Sequence, residues 1–368
     1  MNLDPIEWHG SVVGSECTLH QVAPYIGKMK SSMAKELINA YSSPGDLILD
    51  PFCGSGAIAL ESIIRGREIV CSDVNPYAVT ITQAKLMPPS NSEIAIRNAN
   101  QILDGVLKDS SFVSLDGIPD WVQSFFHPQT LREIVHFVKI VQQKNDPFLM
   151  ACLLGILHHQ RPGFLSYPAS HLVPYLRTRK FPKEEFPELY SYRPLKPRLM
   201  KKIHRVYRRS PKFDSSLSKK CFKSDVRDLQ LDSGCIDGII TSPPYMDALE
   251  YARDNRLRLW FLGVTDYKRY STELGTISNF TELMSLFIGS ALNWLRAGGY
   301  CVCVVGEVNR KKRSIDIAQM IANIATKQIG GFKLESIITD EIPNIRRARK
   351  GSYIKTESII ALKKKGGS

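Results

Sequence analysis

The chain has 368 residues, 43% apolar and 23% charged, which is the ordinary balance of a soluble globular protein. Its length suggests two domains, or one domain with a large insertion. With 49 Lys+Arg against 36 Asp+Glu it carries +13, an excess that points toward a polyanionic partner. No stretch approaches the roughly 18–20 uninterrupted apolar residues that would span a bilayer, and the first residues show no basic segment followed by an apolar run. The eight cysteines (17, 53, 71, 152, 221, 235, 301 and 303) are scattered without a Cys-x-x-Cys pair. They read as buried free thiols of a reducing cytosol, not as a disulfide frame or a metal site. The expectation is a cytoplasmic protein with no membrane and no metal partner.

In chain order, residues 29–44 predict a helix, with Met33, Ala34, Leu37 and Ile38 at helical spacing and Pro44-Gly45 to stop it. Leu47-Ile-Leu49 reads as a strand buried on both faces. A glycine turn and a helix from Ala57 to Arg65 follow, with Gly66 as a natural stop. A second strand, Glu68-Ile-Val-Cys71, ends at Asp73. The same grammar returns after residue 220. The strand Asp237-Gly-Ile-Ile240 feeds Thr241-Ser-Pro-Pro-Tyr245, followed by helices near 280–296 and 315–328 and strands at 300–305, 332–339 and 356–362. Residues 46–88 and 221–362 therefore read as two halves of one open, mostly parallel α/β sheet. The predicted organisation is 1–89 and 221–368 as that domain, with 90–220 inserted. The insertion opens apolar and helical, at 121–126, 131–141 and 148–157. Its later part, 177–220, holds 15 Lys/Arg against 4 Asp/Glu, interleaved with Phe181, Phe186, Tyr190, Tyr192, Tyr207 and Phe213. That local excess marks a phosphate-contacting face, with Lys201, Lys202, Arg205, Arg208 and Arg209 as its candidates.

Asp50-Pro-Phe-Cys-Gly-Ser-Gly56 lies between the first strand and its helix. Gly54 and Gly56 permit a tight turn and close approach of a ligand to the backbone. Asp73 ends the next strand, where a carboxylate can accept from ribose hydroxyls. Position 59 is Ala where a dinucleotide fold would carry a third glycine, and Asp50 is anionic, so the turn does not suit a pyrophosphate. A cationic or zwitterionic ligand suits it better, and S-adenosyl-L-methionine, a sulfonium with an amino-acid tail, meets that requirement. Downstream, two consecutive prolines at 243 and 244 fix a rigid corner at a strand end and leave their carbonyls as free acceptors. Acceptors there, with the Ser242 hydroxyl, could hold the N–H bonds of an amino group on a base. Tyr245 could stack on a base drawn out of a duplex, and no covalent nucleophile is needed when two reactants are held in line.

These stretches carry a resemblance. Asp-Pro-Phe-Cys-Gly-Ser-Gly resembles the cofactor motif of the DNA amino-methyltransferases, in the form Asp-x-Phe-x-Gly-x-Gly. Ala23-Pro-Tyr-Ile-Gly-Lys28 resembles their N-terminal cofactor motif, and Lys223-Ser-Asp225 resembles the motif whose acid faces the adenine ring. Ser242-Pro-Pro-Tyr245 looks like the catalytic motif typical of cytosine-N4 enzymes, whereas adenine-N6 enzymes more often carry Asp or Asn in place of the serine. Glu250 to Gly263 is similar to the helix that follows this motif. The resemblance covers about 24–88 and 221–362 and implies a Rossmann-like class I S-adenosylmethionine-dependent methyltransferase sheet with a large helical and basic insertion. It implies Ser242, Pro243, Pro244 and Tyr245 as catalytic residues. Tyr25, Lys28, Asp50, Phe52, Gly54, Gly56, Asp73 and Asp225 are its implied cofactor residues, DNA its partner, and a restriction endonuclease a companion to look for. The insertion precedes the Asp225 motif, whereas a target-recognition domain normally follows it. An adenine-N6 DNA enzyme, an RNA guanine-N2 enzyme and a non-catalytic nucleic-acid-binding relative stand as alternatives.

Overall fold

The computed structural model describes residues 3–5, 8, 16–171, 173–211, 214–245, 251–270, 276–306, 308–310, 313–341 and 356–366. Phe213 and Glu250 lie outside them. Besides a two-stranded ribbon of Val308–Arg310 and Arg313–Ile315, the strands are β1 (Leu47–Asp50), β2 (Glu68–Asp73), β3 (Lys219–Lys223), β4 (Ile236–Thr241), β5 (Leu295–Gly306), β6 (Phe332–Glu341) and β7 (Thr356–Lys364). β1 to β7 form one sheet in the order β3-β2-β1-β4-β5-β7-β6. β1 to β5 pair in parallel, with Asp50 level with Cys71 and Leu49 level with Ile239. β7 runs antiparallel between β5 and β6, so the mostly parallel reading holds and the exception is the single reversed strand β7. The order reverses between β1 and β4, and in open α/β sheets ligands bind at the carboxyl ends of the strands flanking such a reversal.

The elements around that point form for local reasons. α1 (Ser31–Tyr41) stops short of the predicted residue 44, because Ser42 turns extended and its hydroxyl donates to the Ile38 carbonyl at 2.6 Å. α2 (Ala57–Ile64) begins at Gly56, whose φ of +68° is left-handed. α3 (Pro76–Leu86) is capped by Asn75, whose side chain accepts from the Tyr77 N–H, and has Pro76 in its first turn. α8 (Ile277–Trp294) and α9 (Ile317–Asn323) cover one sheet face through Phe280, Phe287, Ile288 and Ile321. The predicted helix over 315–328 divides into α9 and a π-helical turn at Ile324–Gln328.

The inserted stretch builds α4 (Ser92–Asp109), α5 (Pro128–Gln143), α6 (Pro147–Gly155) and α7 (Leu195–Tyr207). Their apolar faces share one buried core with Leu60 of α2 and Tyr77, Ile81 and Ala84 of α3. The helices are thereby fastened to the cofactor side of the sheet. Residues 156–194 run without a long helix and are held by the buried Arg193 guanidinium, which donates to the carbonyls of Phe164 (3.1 Å) and Leu189 (2.7 Å). Glu133 of α5 takes the Tyr192 hydroxyl and, at 2.8 Å, the Leu195 N–H that opens α7.

Gly56 and Gly45 allow a clean comparison of two glycine substitutions. Both have positive φ, but a Cβ at Gly45 meets open space, whereas at Gly56 it lies 2.6 Å from Thr82 Oγ1 and 3.1 Å from Thr82 Cα. Gly45→Ala should lose about 1–2 kcal/mol for the left-handed backbone alone. Gly56→Ala should lose that and about 1–3 kcal/mol more for overpacking. Denaturant titration of the two variants checks this, and equal losses would show that Thr82 yields freely.

Candidate functional site

At the carboxyl ends of β1, β2 and β4 lies a cavity of about 580 Å³, within the roughly 300–1,000 Å³ usual for small-molecule sites. Asp50, Phe52, Cys53 and Gly54 line it from the first turn, Asp73 and Asn75 from the end of β2, Ser224 to Arg227 from after β3, and Ser242 and Pro244 from after β4. Tyr25 closes the N-terminal side, its ring stacked on Tyr77 at 5.9 Å.

Each of these groups is held by a neighbour. Asp50 is buried and its Oδ1 accepts the Thr241 hydroxyl at 2.6 Å. Burial holds its carboxyl well above the usual range. Asp73 accepts the Gly54 N–H at 2.9 Å and the Asn75 N–H at 2.8 Å, so one carboxylate ties the glycine turn to the start of α3. Burial, reinforced by the nearby Cys53 sulfur, pushes it up to about 7. Behind the turn, the buried Lys85 ammonium donates to the Ser55 carbonyl, and burial draws its pKa well down. Phe52 packs edge-on against Phe287 at 5.4 Å. Asp225 is gripped by Arg227 through both oxygens, at 2.9 and 2.7 Å, which lowers its pKa. Ser242 donates its hydroxyl to the Val304 carbonyl at 3.1 Å.

Several expected site residues stand elsewhere. Lys28 does not line the cavity. Its ammonium binds the His20 carbonyl at 3.0 Å and pairs with Glu16 at 3.7 Å, which turns it inward beneath the N-terminal segment. Pro243 is buried behind the corner. Tyr245 also lies off the cavity wall, its hydroxyl donating to Glu357 at 3.0 Å. Of the five basic residues chosen on the insertion, Lys201, Arg205, Arg208 and Arg209 are exposed. Lys202 is not: it falls on the apolar side of α7 with Leu199, Ile203 and Val206, and its Nζ donates to the Gln21 carbonyl at 2.7 Å. Burial pulls its pKa down to about 7, so it is removed from the phosphate-contacting set.

Two features escape the sequence reading. The short helical turn Tyr267–Tyr270 brings Lys268, Arg269 and Tyr270 to the cavity, facing Asn279 and Glu282 of α8. A basic-aromatic run just past the proline corner was the available signal. Cys53, Cys71 and Cys221 also converge, from three separate stretches of chain. All three Sγ atoms lie within 4.8 Å of one another; the Cys71 thiol donates to the Lys220 carbonyl at 3.4 Å and the Cys53 sulfur accepts from the Thr82 hydroxyl at 3.5 Å.

The strand order, the single reversed strand β7 and a cavity at the β1/β4 reversal define the Rossmann-like fold of the class I S-adenosylmethionine-dependent methyltransferases. The chain also carries a family signature: residues 17–84 match the family described as DNA methylase. It is similar to the type II methyltransferase M.MjaII of Methanocaldococcus jannaschii, 29% identical over 68 residues, which are 18% of this chain and 13% of that protein. It is likewise similar to the type II methyltransferase M.XycI of Xanthomonas campestris pv. cyanopsidis, 34% identical over 80 residues, 21% of this chain and 27% of that one. The matched stretch therefore spans well under a third of either relative. Among solved structures, TrmN from Thermus thermophilus aligns over 94% of this chain and 52% of its own, at 12% identity and a TM-score of 0.39.

The cavity fits the cofactor of that fold. Asp73 ends β2, the position from which a carboxylate receives a ribose diol in dinucleotide-binding folds. Asp73 and Glu282 offer the wall acidic groups suited to a sulfonium, beside Asp225, which Arg227 pairs, and the cations Lys268 and Arg269. A ribose diol held by Asp73 would favour its charged carboxylate, so on that assignment affinity should tighten as pH rises through its free value of about 7. Affinity for S-adenosylmethionine, measured by calorimetry, should rise roughly tenfold between pH 6 and 8. In Asp73→Asn it should be weaker and lack that rise. A wild-type profile as flat as the variant's would remove Asp73 from the ribose site.

Proposed function

We propose that the chain is a cytoplasmic S-adenosylmethionine-dependent DNA methyltransferase that modifies an exocyclic amino nitrogen, the N4 of cytosine. The observation that carries the reading is Ser242 at the cavity wall with its proton committed to the Val304 carbonyl. A serine that already donates can only accept on its other side, and an amino group on a base offers N–H donors. The bound cofactor supplies an electrophilic methyl. The chain's part is to orient the nitrogen. Ser242 and a carbonyl of the proline corner hold its N–H bonds, so that its lone pair, otherwise delocalised into the ring, faces the cofactor side of the cavity. With the cofactor bound, methyl transfer would leave one proton in excess on the nitrogen, and this proton would pass to solvent, because Ser242 and the proline carbonyl accept hydrogen bonds without taking up the proton. The family match to residues 17–84 supports DNA as the substrate class, and the serine before Pro-Pro favours cytosine.

Nucleoside mass spectrometry of DNA and RNA incubated with the protein and labelled S-adenosylmethionine tests this directly. N4-methylcytosine in DNA is expected. N6-methyladenine would keep the mechanism and overturn the base, and label confined to RNA would overturn the substrate class. The role of Tyr245 as a stacking ring has its own test. Tyr245→Ala should cut turnover by about five- to 150-fold, a loss of roughly 1–3 kcal/mol of stacking, with cofactor affinity nearly unchanged. Tyr245→Phe, which removes only the hydroxyl bonded to Glu357, should keep most of the activity. If Phe is as damaged as Ala, the hydroxyl and not the ring is what matters.

The exposed cations on α7 and just past its end, Lys201, Arg205, Arg208 and Arg209, are proposed to bind phosphates. Replacing Lys201, Arg205, Arg208 and Arg209 by Ala should weaken DNA binding across sequences. The slope of log affinity against log salt should fall by up to about 0.9 for each phosphate no longer neutralised. Lys202→Met, at the buried position, should leave that slope unchanged. Anisotropy titrations at several salt concentrations compare the two, and an unaltered slope in the fourfold variant would return α7 to ordinary solvated surface.

A further inference from the structure

Cys53 lies just past β1 in the cofactor turn, Cys71 is in β2 and Cys221 is in β3. Cys71 and Cys221 are direct partners in the parallel register, and the Cys53 N–H, bonded to the Ser72 carbonyl at 2.9 Å, draws the turn over them. All three Sγ atoms lie within 4.8 Å of one another. Cys53 and Cys71 are buried and Cys221 is half-buried on the edge strand of the sheet. Three thiols filling a core as small apolar groups need no common focus; Cys301 and Cys303, 4.0 Å apart, show that arrangement with two sulfurs and no third. Sulfurs about 2.3 Å from one ion stand roughly 3.8–4.0 Å apart, so the three need to close by less than about 1 Å to share one.

We propose that Cys53, Cys71 and Cys221 form a binding site for a thiophilic d10 cation, Zn²⁺ or Cu⁺, beneath the cofactor turn. Soft thiolates select these ions over the hard ones. Three sulfurs satisfy trigonal Cu⁺ outright, and they supply Zn²⁺ with three of its four ligands. Cys53 also lines the cavity, which leaves that side open to a fourth ligand from solvent. The ion is held only by thiolates, so each thiol that becomes a ligand releases its proton, and no electron changes hands. The site rests on sulfur geometry alone and stands whether or not the chain methylates DNA.

The test uses the full chain, reduced and stripped of metal with a chelator. Co²⁺, standing in for Zn²⁺, should give a thiolate-to-cobalt charge-transfer band that Zn²⁺ abolishes, and in a separate arm the protein should take Cu⁺ from a chromogenic chelator. Cys221→Ser, on the edge strand and checked for folding by circular dichroism, should weaken whichever ion binds by about a hundredfold or more. Cys303→Ala, outside the cluster, should bind as the wild type does. Failure of both ions to bind the wild-type protein overturns the proposal. So does binding that survives in Cys221→Ser, or that is lost equally in Cys303→Ala.

Discussion

The site depends on one buried hydrogen bond, from the Thr241 hydroxyl to the Asp50 carboxylate. It joins the last residue of β1 to the last residue of β4 across the reversal in strand order, the one place in the sheet where the loops from two neighbouring strands diverge. The residue after Asp50 begins the glycine turn and the residue after Thr241 is Ser242. A separation of 2.6 Å between the two side chains therefore sets the spacing between the cofactor wall and the proline corner. The geometry is costly to hold, because a buried carboxyl resists ionisation. The cost is offset by what the bond prevents, since positions of reacting atoms matter at the ångström level.

Behind that stitch, the turn itself is backed from outside the sheet. Thr82 and Lys85, one turn apart on α3, meet Gly56 and the Ser55 carbonyl. α3 in turn is packed into the core of the inserted helices through Tyr77 and Ile81. The segment after the proline corner enters the same core. Arg258, buried in the helix Arg256–Phe261, sits with its guanidinium 5.5 Å from the Tyr77 ring and hydrogen-bonds Asn255 at 3.2 Å. Both sides of the cavity are thus braced by one apolar mass, which makes the insertion part of the site's support as well as its periphery. Tyr77 does double service here, since its ring also holds Tyr25 at the cavity edge.

Much of this was legible in the sequence, for physical reasons. Short apolar runs closed by glycine and acid residues specify buried parallel strands with little ambiguity, and β1, β2 and β4 appear where Leu47-Ile-Leu49, Glu68 to Asp73 and Asp237 to Ile240 predict them. Gly54, Asp73 and Ser242 reach one cavity because all sit at carboxyl ends of such strands. What failed was side-chain direction. Lys28 and Lys202 are cations in stretches of the right kind, yet the first answers to Glu16 and the second to the Gln21 carbonyl. For Lys202 the helical period carried the warning, because it shares the face of Leu199, Ile203 and Val206. The three convergent cysteines had no such signal: they meet only through the pairing of β2 with β3 and the fold of the turn, both non-local.

Charge is partitioned in space in a way that bears on how a substrate would approach. Asp50, Asp73, Asp225 and Glu282 line the cavity together with Arg227, Lys268 and Arg269, while the exposed cations Lys201, Arg205, Arg208 and Arg209 stand outside it. Arg227 already grips Asp225, so Asp73 and Glu282 are the acids left to draw a sulfonium inward, and the outer cations are placed to hold a phosphate backbone. On the proposed reading the backbone stays on those outer cations and only a single uncharged base crosses into the cavity. That is the arrangement an enzyme needs when its target atom is otherwise stacked inside a helix.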